Sequence, residues 1–382
     1  MDFTFSSEQQ AAVESVRKFV STELEPNVEQ IEKENRLPDG IHKKMGEVGL
    51  WGMTIPEEQD GLGMSHDCLI ATTLEIARIS AAAAYSLISG LSGIEVLRKH
   101  ASQEVKDQYY TKMLTGELVG CMAFTEPGTG ADPKQLTTVA KEDGDHITLN
   151  GTKRFITNAG YPGPMVVWAK EADTDECSAF VIDKFCEGFS LSNPWEKIGT
   201  AGSPAYDVFL DNVVIPKKNR IGEKGKGFQI LLTESAVGKM IHGAVAVGVM
   251  EAARNKALTY ANEKLHRGRP ISEKFQATQI KLARICEKIE SAKWMVYYCA
   301  HLADKGTETE EFRAYASMVK AYTADLAPET VLLAMNVMGP YGTMKEYDVE
   351  RYLRDAGMGP HVEVVSDVQR IIYAKYVTGC AQ

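Results

Sequence analysis

The rhythm of apolar and polar positions changes twice along this chain. From Ser7 the residues Val13, Val16, Val20 and Leu24 recur at steps of three and four, which sets them on one helical face. Ser7 with Gln10 three residues later fits a capping box, and Pro26 predicts the stop. Helical patterning returns through the Ala-rich stretch around Ala81 and again from Ser102 to Leu114. From about Cys121 to Val214 the apolar runs shorten to strand length, as in Met165–Trp168, Ala179–Ile182 and Val208–Leu210, with turn residues between them. Asp143-Gly144, set between Thr137–Ala140 and His146–Leu149, predicts a hairpin. After Gly227 helix dominates again. Leu282, Ile285, Ile289, Ala292, Val296 and Cys299 form the seam of a long antiparallel bundle. No Gly or Pro interrupts from Ile271 to Lys305, so one helix is predicted there. The outline is helical, then β, then helical.

At 382 residues the length suggests two or three packed units. A formal charge of -10 argues against nucleic acid as a partner, while leaving room for an anionic small ligand held by local Lys and Arg. The seven cysteines are scattered without a C-x-x-C pair, and the eight histidines form no H-E-x-x-H, so neither a disulfide framework nor a metal site is expected. The opening MDFTFSSEQQ has neither a signal-peptide nor a transit-peptide layout, which makes the cytoplasm the default expectation. The most apolar short stretch, Ala81–Ile88, is far below the roughly 18 residues that span a bilayer, so no membrane is expected.

Two Gly-rich stretches carry little chemistry by themselves. Gly222–Phe228 lacks the G-K-[ST] ending of a phosphate loop and reads as a turn, and Gly128-Thr129-Gly130 has no strand-and-helix frame. Glu363 lies between apolar neighbours in His361–Gln369. Alone it reads as a satisfied glutamate; buried beside a ligand, desolvation would raise its pKa into the range of a useful base.

Three segments then change that balance. Ala123-Phe-Thr-Glu-Pro-Gly-Thr-Gly-Ala-Asp132 resembles the T-E-P-x-A-G-S-D signature of the acyl-CoA dehydrogenase family. Lys153-Arg-Phe-Ile-Thr-Asn158 resembles its K-x-[WF]-I-T-N segment. Tyr347-Asp-Val-Glu-Arg-Tyr-Leu-Arg-Asp355, with the Glu363 segment after it, is similar to its R-x-x-R-D and Y-E-G-T-x-x-[IV]-Q region. The opening residues and Ile55-Pro-Glu-Glu fit as well, so the resemblance covers nearly the whole chain.

The resemblance implies an α+β fold with an N-terminal helical domain over 1–119, a barrel-like or sandwich β domain over 120–228 and a C-terminal four-helix bundle over 229–382. It implies FAD, an acyl-CoA substrate interconverted with its 2,3-enoyl-CoA, an electron transfer flavoprotein as redox partner, and a homotetramer. Glu363 matches the base. Met122, Phe124, Thr125, Gly130, Ala131, Phe155, Ile156 and Thr157 match the segments around the flavin ring. Lys264, His266, Arg267, Gln276, Asn336 and Gly339 match positions reaching the cofactor's pyrophosphate and adenine, partly across a subunit boundary, and Val365 and Asp367 follow the base. Ala131, Lys239 and Val364 match substrate-side positions.

Several residues depart from the pattern. The Gly-Thr after the base is Val364-Val365, the signature serine is Ala131, and R-x-[QT]-F-G reads Lys264-Leu-His-Arg-Gly268. Q-x-x-G-G reads Asn336-Val-Met-Gly339-Pro340, and Lys239 replaces an arginine. Gly238 occupies the place where some branches carry the base, so Glu363 has no competitor there. The added bulk at Val364 and Val365 suits a short or unusually shaped acyl group. The alternatives are a same-fold oxidase, a decarboxylating or desulfinating enzyme, or a non-catalytic acyl-CoA-binding scaffold.

Overall fold

The computed structural model describes residues 4–130 and 132–380. The chain opens with α1 (Ser7–Phe19), α2 (Val28–Glu34), α3 (Ile41–Glu47), α4 (His66–Ile79), α5 (Ala81–His100) and α6 (Gln103–Leu114). The capping box at the start sits one residue earlier than the sequence reading places it. Ser6 is the extended N-cap, its hydroxyl accepts from the Gln9 N–H, and the Gln9 side chain accepts from the Ser6 N–H, so Ser7 is already helical. Nor does Pro26 end the helical path. A wide turn over Val20–Leu24 and a tight one over Glu25–Asn27 lead straight into α2, and the N–H that Pro26 lacks falls where the regular ladder is already interrupted.

Next come β1 (Cys121–Ala123), β2 (Val139–Asp143), β3 (His146–Thr157), β4 (Pro164–Glu171), β5 (Cys177–Asp183), β6 (Phe189–Leu191), β7 (Ala205–Pro216) and β8 (Arg220–Ile221). They make one eight-stranded sheet in the order β6-β7-β3-β2-β4-β5-β8, with β1 parallel to β4. The expected hairpin joins β2 to β3, with Asp143 opposite His146 and Gly144 at φ +59° in the turn. Strands β4 and β5 read as continuous apolar runs because each serves two cores. Val166, Trp168, Ala179 and Val181 face the helices, whereas Met165, Val167, Phe180 and Ile182 join β3 and β7 in the sheet's own core. That second core draws on both halves of the sheet, which therefore curls around it.

The last part holds α7 (Gly227–Glu263), a hairpin of β9 (Leu265–His266) and β10 (Arg269–Pro270), then α8 (Ile271–Lys274), α9 (Gln276–Ala303), α10 (Glu310–Met338), α11 (Val349–Met358) and α12 (Ser366–Thr378). The single helix expected from Ile271 is broken at Phe275, which is extended at φ -114° and ψ 112° and stacks its ring edge-on against His266 at 5.1 Å. Beyond the break the seam is as patterned: Ile285, Ile289, Ala292, Val296 and Cys299 are all buried. Helix α7 is long and apolar enough to cross a bilayer, unlike the short Ala81–Ile88 stretch. Most of its apolar window is buried, against α10, α9, α4 and α5. It is the core helix of the fold.

One buried ion pair ties the loop after β1 to the sheet. Lys153 Nζ lies 2.7 Å from Glu126 Oε1, with both side chains almost wholly buried, and also donates to the Phe124 carbonyl at 3.1 Å. Burial would raise the Glu126 carboxyl, but Lys153 and the Thr137 and Thr138 donors hold it down at about 2. Burial pushes the Lys153 ammonium down to about 8. Removing one member leaves the other charged and unpaired in the interior. Lys153→Met is therefore expected to lower unfolding stability in urea by about 3 kcal/mol, most of it regained when Glu126→Gln is added. A single-variant loss below about 1 kcal/mol contradicts this role for the pair.

Candidate active site

Glu363 sits in the loop between α11 and α12, where two consecutive residues take left-handed backbone: Glu363 at φ +54° and Val364 at φ +68°. Such a φ is costly for a side-chain-bearing residue and most so for a β-branched one. Two buried side chains hold it in place. Gln369 Nε2 donates to the Glu363 carbonyl at 2.8 Å, and Lys320 Nζ donates to the Val364 carbonyl at 2.8 Å. The loop sends the Glu363 carboxyl back onto α7. Its Oε1 stands 3.3 Å from where a Cβ on Gly238 would lie, with Ile88 Cγ2 at 3.3 Å and Ser92 Oγ at 3.5 Å from the same point. Gly238 is thus the room that the carboxyl uses.

Burial raises the Glu363 pKa, and Lys239 and Lys320 oppose it. Lys320 is fully buried, and burial pushes its ammonium down to about 8 against the pull of Glu363 and Asp325. Lys239 is 6% exposed and is likewise lowered by burial, with Glu363 opposing. Its Nζ lies 3.5 Å from Ser317 Oγ. Both ammoniums act electrostatically on the Glu363 carboxyl without an ion pair within 4.0 Å among the described residues. Glu363 as a residue is half-buried, and a carboxyl pushed up by burial and held back by two ammoniums has the setting of a base for a weakly acidic C–H proton.

The sheet brings a second set of groups to the same turn of α5. A bulge between Lys153 and Ile156 leaves Phe155 at φ +60° with 56% of its surface exposed, its ring 5.4 Å from Trp195. The Arg154 N–H donates to the Thr125 carbonyl at 2.8 Å, lacing the loop after β1 against that bulge. At the end of β3 the Thr157 carbonyl accepts from Ser89 Oγ at 3.3 Å. Ser89 lies between Ile88 and Ser92 on α5, so Thr157 and the Glu363 carboxyl approach that helix within about one turn, roughly 5 Å, of each other. An outward ring on strained backbone beside the loop that carries Thr125 fits a flat heteroaromatic cofactor, and among the described residues the buried Ser366 Oγ and Gln369 Oε1 near Glu363 in sequence have no hydrogen-bond partner.

The remaining predicted residues divide. Met122 lines β1 beside Val166, and Gly130 has open space where a side chain would be. The Phe124 ring turns the other way, 8% exposed against Trp168 and Phe228, and Ile156 is buried in the sheet core, so only the backbone of these two is available to a ligand. Val364 is half-buried, Val365 is 46% exposed, and Asp367 is exposed and paired with Arg370 at 3.1 Å. Ala131 lies outside the described residues. Lys264, His266, Arg267, Gln276, Asn336 and Gly339 are all exposed and belong to another place, around the hairpin at the far end of α7. There Lys264 Nζ lies over the Tyr341 ring at 5.4 Å. At about 1.5 Å per residue, Lys264 is about 39 Å along α7 from Gly238. No single ligand of ordinary size reaches both within one chain.

The sequence reading missed Lys320, Tyr85 and His242. Tyr85 Oη is 2.7 Å from His242 Nε2, and His242 is fully buried. Their signal was an ionisable residue inside an apolar helical run, as in Met318-Val-Lys-Ala321 and Met240-Ile-His-Gly243.

The Glu363 carboxyl, held over Gly238 between a curled sheet and a helical bundle with two buried lysines nearby, is placed to exchange a proton with a ligand in that cleft. Three models of protein families cover the chain: the acyl-CoA dehydrogenase N-terminal domain matches residues 6–117, the middle domain 121–213 and the C-terminal domain 225–378. The chain belongs to the acyl-CoA dehydrogenase family. It is 35% identical to an acyl-CoA dehydrogenase of Bacillus subtilis over 98% of this chain and 99% of that one. It is 33% identical to the caffeyl-CoA reductase-Etf complex subunit CarC of Acetobacterium woodii over 96% and 97% of the two chains. The structure of butyryl-CoA dehydrogenase from Megasphaera elsdenii superposes with a TM-score of 0.94 at 27% identity, covering 99% of this chain and 100% of that chain.

Because φ +68° is unfavourable for valine, Val364→Gly is expected to stabilise the protein by about 1 kcal/mol in chemical denaturation, even after the added freedom of the unfolded chain. A loss of stability means that the loop is not strained at this residue.

Proposed function

We propose that this enzyme is an FAD-dependent oxidoreductase that interconverts a short or unusually shaped acyl-CoA and its 2,3-enoyl-CoA, with Glu363 as the base. The observation that carries this reading is the Glu363 carboxyl, desolvated over Gly238 and flanked by two buried lysines. Thr125, Phe155 and Thr157 on the sheet side, with the backbone of Met122 and Gly130, would hold the flavin ring. When bound, FAD supplies the acceptor for the β hydride.

The chain's own residues handle the proton. Glu363 takes it from the carbon next to the thioester carbonyl, whose oxygen receives the Glu363 backbone N–H. Lys320 and Gln369 fix the loop so that the carboxyl and this N–H keep one geometry. Val364 and Val365 narrow the space beside the base and help exclude water. Lys239 and Lys320 oppose the upward push of burial on the Glu363 pKa and so favour its ionised form.

The exposed residues at the hairpin end of α7 fit a second role. Lys264, His266, Arg267, Gln276, Asn336 and Gly339 would meet the pyrophosphate and adenine of a cofactor seated in a neighbouring copy, which needs at least a dimer; a homotetramer accommodates this. An electron transfer flavoprotein is the proposed redox partner, a reading supported by the name of the Acetobacterium woodii relative. That relative is named a reductase and the Bacillus subtilis one a dehydrogenase, so relatives of this chain are named for both directions.

Glu363→Gln is expected to keep FAD and lose about two to four orders of magnitude in the rate of anaerobic flavin bleaching by acyl-CoA. A near-wild-type rate removes Glu363 as the base. The lysines also set the pH dependence. Lys320 lowers the Glu363 pKa, so deleting its charge moves that pKa up. In Lys320→Met the rising, acid-side limb of the kcat/KM profile is expected to shift to higher pH; an unmoved or lowered limb contradicts the electrostatic coupling.

A further inference from the structure

Behind Thr157 the protein buries a polar network that the chemistry described above does not use. Thr157 is half-buried at the end of β3, and the next residue, Asn158, is buried with a left-handed φ of +64°. Around Asn158 the network gathers Ser86 of α5, His42 of α3 and Lys184, which follows β5 directly. All three are buried as well.

The hydrogen bonds run in one consistent direction. Ser86 Oγ donates to Asn158 Oδ1 at 2.8 Å, and Asn158 Nδ2 returns a bond to the Ser86 carbonyl at 2.9 Å. With its one proton committed, the Ser86 hydroxyl accepts from His42 Nε2 at 2.9 Å. Burial, with Lys184 and Arg36 adding to it, pushes the His42 pKa down to about 3, so the imidazole is neutral and carries its proton on Nε2. The Trp51 indole N–H in turn donates to the His42 carbonyl at 2.8 Å. From the sheet side, Lys184 Nζ donates to the Asn158 carbonyl at 2.9 Å and to the Val119 carbonyl at 2.7 Å.

Two features set this network apart from a plain tie between sheet and helix. Lys184 meets carbonyls, not a carboxylate, and burial lowers its pKa. Apolar packing joins two elements without that desolvation cost. The second feature is where the bonds end. Ser86 and Ser89 are three residues apart and share one face of α5. Ser86 holds the Asn158 amide, and Ser89 Oγ donates to the Thr157 carbonyl at 3.3 Å. The carbonyls of both residues are engaged, which fixes the backbone that carries the Thr157 side chain.

We propose that Asn158 is a positioning residue: gripped by Ser86 and Lys184, it holds Thr157 against α5 so that the Thr157 side chain meets the flavin ring in one orientation. This rests on the FAD reading above and adds to it a residue that never touches the cofactor.

The test is a double-mutant cycle read on the midpoint potential of FAD bound to the full-length protein. Thr157→Val removes the hydroxyl. Asn158→Gly removes the amide but keeps the left-handed backbone, which glycine adopts freely. Asn158→Gly is expected to change the relative affinity for reduced and oxidised FAD at least about fivefold, about 20 mV at about 30 mV per tenfold, in the same direction as Thr157→Val. With Thr157→Val already present, it is expected to have less than about a third of that effect. Ser86→Ala, which removes one hydroxyl from a helix, is expected to repeat the pattern at smaller size and serves if Asn158→Gly fails to fold. A potential that stays at the wild-type value in the folded variants overturns the proposal and makes the network structural only. A shift as large without the Thr157 hydroxyl as with it also overturns the proposal, because Asn158 then acts through some other group. Both results leave the flavin reading standing. A wild-type protein that takes up no FAD removes that reading, and the proposal with it.

Discussion

In the proposed chemistry everything depends on keeping one carboxyl largely out of water without neutralising it permanently. Glu363 achieves this by facing a glycine on the core helix instead of solvent, with two buried ammoniums within electrostatic reach. Burial alone would make it a protonated acid; the lysines alone would make it a poor base. The balance requires a loop with two left-handed residues in succession, and Lys320 serves both ends of it. Its ammonium holds the Val364 carbonyl and also faces the carboxyl electrostatically. Loop strain and base strength are therefore linked through one side chain.

The fold follows from the need to bring that loop to a sheet. Helix α7 is covered on several sides, so it gives a rigid reference on which Gly238, Lys239 and His242 hold fixed positions. Strands β4 and β5 give alternate side chains to the helical and the sheet cores, which locks the sheet against the helices. The buried Lys153–Glu126 pair then fixes the loop after β1 next to the bulge that exposes Phe155. The length of α7 also has a consequence: the far hairpin cannot serve the site at Glu363 in its own chain.

The sequence made the architecture legible because periodicity reports burial directly. The α9 seam and the short apolar runs of β4 and β5 are visible as residues, as was the turn at Gly144. Boundaries were less legible. Ser6 and Ser7 are chemically equal capping candidates, and only the backbone of Ser6 decides between them. Phe275 breaks a helix without Gly or Pro because its ring has a tertiary partner in His266, which no local pattern reveals. At the candidate site the motifs point to Glu363, Thr125, Phe155 and Thr157, whereas Lys320 near the carboxyl and the Tyr85–His242 pair stayed hidden. Lys320, His242 and Tyr85 lie on three different helices and meet only in space. Phe124 illustrates the converse, a motif residue whose ring packs into the core.

The most direct test of the account follows the proton by itself. A CoA thioester with α hydrogens and no β hydrogens can exchange but cannot be oxidised. Incubated with the FAD-loaded protein in D2O and followed by proton NMR, it is predicted to lose its α signal well above the buffer rate with wild-type protein, and only at the buffer rate with Glu363→Gln. Equal exchange by both proteins would mean that the carboxyl over Gly238 is not the group that moves the proton.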